Sequence, residues 1–289
     1  MKLTRNKAER YNQVRVTVRG TDLEVFERLP AVRLVSDGSS VVEAVVAREF
    51  FATIFLNGKE LATLLCSPDK LDYLAAGFLF SEGLIKARDD IEEIAVDEKL
   101  GIIRVSAKSA SREESRYGSP RLITSGCGGA ASFYNTQDAA LPKIESSLKV
   151  NANAIFAMVK AFQHYSPAYL ATHGTHSAAL CDAASILAFA EDVGRHNAID
   201  KLFGKCLLED IPMADRLVLT SGRISFEILQ KVTRRGVPVI VSISAPMSLG
   251  IQMAEKLGIT LVGSARGQSM YVFSHPERVV VTADQEYKV

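Results

Sequence analysis

Between residues 216 and 263, strand and helix patterns alternate with almost nothing between them, and no other stretch limits the fold so tightly. Residues 216–220 read as a strand, 224–235 as a helix closed by Gly236, and 237–244 as a strand. A helix over about 246–257 is closed by Gly258, and a strand over 260–263 follows. Glycine suits both closures because it adopts the left-handed conformation a helix C-terminus needs. Strands separated by helices cannot pair as hairpins, so the pattern predicts βαβ units and a largely parallel sheet. Ligands of such sheets gather at the carboxyl ends of the strands. Those ends carry Thr220-Ser221-Gly222-Arg223, Ser242-Ile243-Ser244-Ala245-Pro246 and Gly263-Ser264-Ala265-Arg266-Gly267. Serine and glycine could simply make the turns, but turns do not require Arg223 and Arg266, whose guanidinium groups suit phosphate. Two of the three segments also lead into helix N-termini, where free N–H groups attract anions. A phosphate-bearing ligand is expected there.

The preceding segment adds a helical stripe at Ala154, Ile155, Met158, Val159 and Phe162, strands over 177–180 and 186–190, and a helix over 197–208. The first part of the chain reads differently. Val14, Val16 and Val18 alternate with polar residues, as in a half-buried strand. Residues 49–56 form a second strand pattern closed by Asn57-Gly58, a strong hairpin signal, with 61–65 as the returning strand. Ser67, Pro68 and Asp69 look like a helix start, Leu71, Leu74, Ala75, Phe78 and Leu79 follow at helical spacing, and Gly83 stops the run. A further strand is predicted over 102–105. At roughly 150 residues per domain, the expectation is an α+β domain over 1–145 and an α/β domain over 146–289.

With 47% hydrophobic and 23% charged residues, the chain has the composition of a globular protein. Its net charge of +1 gives no field that would hold a nucleic acid. No apolar run approaches the ~20 residues that span a bilayer, and the basic first ten residues lack the apolar core of a secretory signal. Four scattered cysteines without a C-x-x-C pair point to a reducing compartment. A cytoplasmic protein with neither nucleic-acid nor membrane partners is expected.

Cys66, Cys181 and Cys206 sit in apolar sequence and read as core positions, whereas Cys127 lies in Thr124-Ser125-Gly126-Cys127-Gly128-Gly129-Ala130. Glycines remove the steric wall around a sulfur, so a partner atom could approach it. A buried structural role is the ordinary alternative for a free cysteine. The upstream polar residues 109–120 read as a loop. Residues 191–201, from Glu191 to Lys201, gather acid, base and amide groups at a strand-to-helix turn, which could equally be a solvated helix face. Arg195 and His196 of that cluster, with His173 and His176, are candidate site residues. The two histidines flank a glycine, but carboxylate or cysteine ligands at metal-binding spacing are missing, and hydrogen bonding to a ligand is favoured. No metal is expected.

Taken together, Thr124 to Gly128, His176-Ser177-Ala178-Ala179-Leu180, Glu191 to Lys201 and Thr220-Ser221-Gly222-Arg223 resemble the FdhD family. So do Cys66-Ser67-Pro68, the run from Gly77 to Gly83, and Ser244-Ala245-Pro246, in register from about residue 40 to 278. The resemblance implies a small α+β N-terminal domain joined to a cytidine-deaminase-like three-layer α/β domain, usually as a homodimer. It implies a sulfurtransferase required for formate dehydrogenase activity. A cysteine desulfurase would load a persulfide on Cys127, which would pass the sulfur to a molybdenum bis-guanine-dinucleotide cofactor before insertion into the formate dehydrogenase catalytic subunit. The family's cofactor segment corresponds to Ser264, Ala265, Arg266, Gly267, Gln268 and Ser269, with Ser221, Gly222 and Arg223 nearby in the reading above and Arg195, His196 and His176 supporting the thiol. Many members carry C-x-x-C in the cysteine loop; here the second position is Ala130, so transfer is expected to use Cys127 alone. A zinc deaminase would need H-x-E and P-C-x-x-C, and neither is present. A non-catalytic cofactor chaperone is the alternative reading.

Overall fold

The computed structural model describes residues 5–11, 14–20, 24–108, 121–123 and 141–281. The first half contains β1 (Arg5–Tyr11), β2 (Val14–Gly20), β3 (Phe26–Val35), β4 (Gly38–Ala47), β5 (Phe50–Leu56), β6 (Lys59–Cys66), α1 (Leu71–Ser81), β7 (Ile91–Asp97), β8 (Ile102–Ala107) and β9 (Arg121–Ile123). Seven of these strands form one sheet in the order β1-β2-β7-β8-β5-β6-β9, while β3 and β4 form a separate two-stranded ribbon. Asn57 and Gly58 take positive φ, 50° and 83°, as the predicted β5–β6 hairpin turn requires.

The second half contains β10 (Val150–Asn151), α2 (Ala152–Gln163), α3 (Pro167–Thr172), β11 (His176–Cys181), β12 (Ile186–Asp192), α4 (Arg195–Leu208), β13 (Leu217–Thr220), α5 (Phe226–Arg234), β14 (Val239–Ser242), α6 (Ser248–Leu257), β15 (Thr260–Arg266), β16 (Ser269–Ser274) and β17 (Val279–Val280). Its six-stranded sheet runs β12-β11-β13-β14-β15-β16. Only β13, β14 and β15 are parallel; β11 is antiparallel to β12 and β13, and β16 to β15. The expectation of a largely parallel sheet therefore holds only where helices separate the strands. Short turns make β11–β12 and β15–β16 antiparallel, and β11 lies antiparallel to β13 because α4 carries the chain from β12 past β11 to a strand that runs with β12.

Strand alternation splits the core. Ala178, Leu180, Val218, Ile240 and Leu261 face one buried cluster with α4, α5 and α6; Ala179, Leu219, Val239, Val241 and Val262 face another with α2. The architecture is mixed α/β, with helices on both faces of this sheet. The first cluster continues through α1 into the seven-stranded sheet, reaching Ile54, Leu64, Ile94 and Ile103. Helix α1 is accordingly buried nearly all round. Its Gly77 meets α4 at Gly204, and a Cβ on Gly77 would stand 1.7 Å from the Asp200 carbonyl oxygen. Only glycine lets these two backbones come so close.

Ser67 does not cap α1. The helix begins at Leu71 with Lys70 as its N-cap in the left-handed region, and no side chain caps it. Ser67 is used elsewhere, as described below. Among the described residues no helix is long and apolar enough to cross a membrane.

Candidate functional site

The antiparallel β11 brings its first residues, His176 and Ser177, beside the carboxyl end of β13. Ser221 follows that end directly. Its Oγ accepts from the Ser177 N–H at 2.9 Å and lies 3.2 Å from His176 Nδ1. The Ser221 hydroxyl can donate to Nδ1 or accept from it, according to the imidazole tautomer. Burial lowers the His176 pKa, and Arg195, His196 and Arg223 lower it further. His176 is therefore a neutral imidazole at neutral pH.

The turns after β13 and β14 are tied together. Ser244 Oγ donates to the Ser221 carbonyl at 2.8 Å, Ser242 Oγ donates to the Gly222 carbonyl at 2.7 Å, and Arg266 Nε donates to the Ile243 carbonyl at 2.9 Å. Between these turns and α3 opens a cleft of about 470 Å³. Ser221, Ser244, His176 and Arg266 line it, and so do residues that the sequence reading did not assign to a site: Phe162, Ser166, Tyr169 and Thr175. His173 also lines it, as the left-handed C-cap of α3. Thr175 Oγ1 is buried there without a hydrogen-bond partner among the described residues. The cleft combines cationic and neutral donors with aromatic walls, a lining suited to an anionic ligand that has a flat apolar part.

Other expected residues lie apart from the lining. Gly222 is buried, and a Cβ there would meet Arg195 Cβ at 2.7 Å, so glycine lets the Arg195 side chain lie across the turn. Arg195 opens α4 and is half-buried. His196 Nε2 lies 3.0 Å from Glu227 Oε2 on α5, and this contact lowers the Glu227 pKa. Arg223 is exposed. Ser264 and Ala265 belong to β15 instead of to a loop, while Gly267 and Gln268 make the turn into β16, where Ser269 begins. That strand runs on to Arg266 because register shifts absorb the irregular residues, Ser264 taking φ 51°.

The cluster from Glu191 to Lys201 serves mainly to join the two halves. Lys201 Nζ lies 2.7 Å from Asp192 Oδ2 and 2.9 Å from Asp69 Oδ1, and donates to the Ser67 carbonyl. Asp192 also accepts from the backbone N–H groups of Ser67 and Gly194 and from Asn197 Nδ2. Asn197 Nδ2 reaches the Leu65 carbonyl, and Ser67 Oγ accepts from the Val193 N–H. Burial opposes the Lys201 charge, but Asp192 and Asp69 outweigh it and raise its pKa. A second buried group sets Lys231 Nζ against Asp200 and Glu82.

Cys127 lies outside the described residues. The other three cysteines are buried, and burial is the largest cause that raises each thiol pKa, to about 12 for Cys181 and Cys206 and higher still for Cys66. Such thiols are poor nucleophiles. Among the described residues no three His, Cys, Asp or Glu side chains group as metal ligands.

The model of the FdhD/NarQ family matches residues 47–280. The sulfur carrier protein FdhD of Bacillus subtilis (strain 168) is 42% identical over 241 residues, covering 83% of this chain and 92% of that protein. The sulfur carrier protein FdhD of Listeria innocua serovar 6a is 38% identical over 260 residues, covering 89% and 100%. A crystal structure described as a formate dehydrogenase accessory protein from Desulfotalea psychrophila superposes with a TM-score of 0.75 at 28% identity, covering 89% of this chain and all of that one.

Proposed function

The chain belongs to the FdhD/NarQ family, and we propose that it is a sulfur carrier acting as an accessory to formate dehydrogenase. A cysteine desulfurase loads it. The Cys127 thiolate attacks the outer sulfur of the desulfurase persulfide, the S–S bond breaks, and the desulfurase thiolate leaves. The carried sulfur then passes to a molybdenum bis-guanine-dinucleotide cofactor, bound as substrate by the cleft at the strand ends. Release as a sulfide ligand takes two electrons, which an external thiol reductant supplies, since position 130 is alanine. The carrier works in the cytoplasm as a homodimer, and formate dehydrogenase receives the cofactor.

The observation that carries this reading is the state of the other thiols. Cys66, Cys181 and Cys206 are sealed in the core, which leaves Cys127 as the thiol for the carrying role named in the relatives. The cleft supports the substrate assignment through Arg266 and the neutral His176. The test is mass spectrometry of the protein after incubation with a desulfurase and cysteine. A 32 Da adduct, about the mass of one sulfur atom, is expected on the Cys127 peptide; an adduct on Cys66, Cys181 or Cys206 instead overturns the assignment.

A further inference from the structure

Strands β3 and β4 form a ribbon ten residues long, about 33 Å, that stands away from both sheets. Its root meets the cleft rim, where Ala47 Cβ lies close to Gly174. Its outer part is apolar on both faces. Val32, Leu34 and Val41 project from one face and Leu29 and Val35 from the other, with Leu34 76% and Val41 80% exposed. A lone two-stranded ribbon is marginal in water, and this one spends its apolar side chains on solvent.

The two edges of the ribbon differ. The Arg48 N–H donates to the Val25 carbonyl, so odd-numbered residues of β3 hydrogen-bond to even-numbered residues of β4. Even-numbered Pro30 therefore turns its missing N–H toward the outer edge of β3, which blocks that edge. The outer edge of β4 presents Ser39, Val41, Glu43 and Val45 with every donor intact, no lysine or arginine, and one charge. Among the described residues no strand pairs with it.

We infer that the outer edge of β4 is a pairing surface for the same strand of a second copy of this chain, giving a four-stranded sheet β3-β4-β4-β3 across a two-fold axis. The inference rests on the homodimer of the preceding section and names its interface. A two-fold at Val42 sets Glu43 opposite Val41 of the other copy, so the single charge on the edge never meets itself. The blocked β3 edges then lie outside and end the sheet. The net charge of +1 leaves little repulsion between copies. Because the ribbon root borders the cleft, the second copy stands beside that cleft.

Sedimentation velocity of the full chain at micromolar concentration tests this. The wild type is expected at twice the chain mass. Glu43→Pro removes only an outward N–H and leaves the β3–β4 ladder, and Val41→Lys puts a charge on the open edge. Both variants are expected at the chain mass, with far-ultraviolet circular dichroism unchanged. Val42→Cys is expected to form an intermolecular disulfide on mild oxidation. A wild type at the chain mass overturns both the homodimer and its interface. A dimer that withstands both edge substitutions and gives no Val42→Cys cross-link overturns the interface and leaves the homodimer standing.

Discussion

Replacing Lys201 by methionine tests the joint between the two halves. The substitution keeps the apolar stem and removes an ammonium that contacts Asp192, Asp69 and the Ser67 carbonyl at 2.7, 2.9 and 3.2 Å. Asp192, fully buried, keeps the N–H donors of Ser67, Gly194 and Asn197 but loses its counter-charge. Breaking a buried pair from one side costs about 3–5 kcal/mol. The three remaining donors stabilise the carboxylate, so the lower end, about 3 kcal/mol, is expected. Burial raises the folded-state Asp192 pKa above its usual 3.8 even with Lys201 in place, and losing the ammonium that lowers it raises it further. The unpaired charge then destabilises the variant fully above that raised pKa, and the deficit shrinks as pH falls through it. Urea unfolding of wild type, Lys201→Met and Lys201→Met/Asp192→Asn at pH 7 and pH 5 reads this out. The double variant should recover at least about 1 kcal/mol, because a neutral amide no longer needs the ammonium. A loss below about 1 kcal/mol at pH 7, or a deficit unchanged between the two pH values, refutes the argument that a buried charge is being balanced here.

Gly77→Ala and Gly204→Ala should each destabilise by about 3 kcal/mol or more, since both added methyls meet backbone atoms closer than 2 Å; equilibrium unfolding within about 0.5 kcal/mol of wild type would show that the helices separate freely. Titration with an aromatic disulfide in native buffer should consume one thiol quickly and the other three of four only on denaturation, with the fast thiol lost in Cys127→Ala. Calorimetry with GDP should show Arg266→Ala binding roughly tenfold to a hundredfold more weakly, and unchanged binding would move the nucleotide away from the cleft. His176 titrates below its usual value in the fold, so it contributes stability above pH 6.5 that is lost as pH falls through its folded pKa. His176→Asn should flatten that part of the stability profile measured by thermal unfolding.

The alternating region was legible because glycine stops and short loops leave few options: Gly236 and Gly258 both take positive φ where the helices were expected to end. The same turn chemistry misled elsewhere. Ser67-Pro68 and Ser166-Pro167 carry identical helix-start signals, yet only Ser166 caps, accepting from the Tyr169 N–H at 3.0 Å. Ser67 is drawn instead to Asp192 and Val193, more than 120 residues away, and a local pattern cannot anticipate such a partner. Helix α3, with Tyr169 and His173, forms one wall of the cleft and went unread although Ser166-Pro167 announced it. The β3–β4 ribbon was also missed, because apolar residues on both faces hide the alternation by which a strand is recognised.

The cluster from Glu191 to Lys201 shows why a motif rich in polar groups was hard to sort into function and frame. Asn197, Lys201 and Gly204 recur at i, i+4 and i+7, which places them on one face of α4, and all three are buried. That face meets the first half through the Leu65 carbonyl, the Ser67 carbonyl and Tyr73. A polar stripe at helical spacing ending in glycine is what a buried, hydrogen-bonded helix contact requires, since each polar group must find a partner and one position must let the backbones touch. Arg195 stands two residues before Asn197, about 200° around the helix, and its side chain lies over Gly222 beside the turn that carries Ser221. The one motif therefore fixes the two halves together on one side of α4 and delivers a cation toward the cleft on the other, so a break in the Lys201 network should also displace Arg195 from the turn it covers.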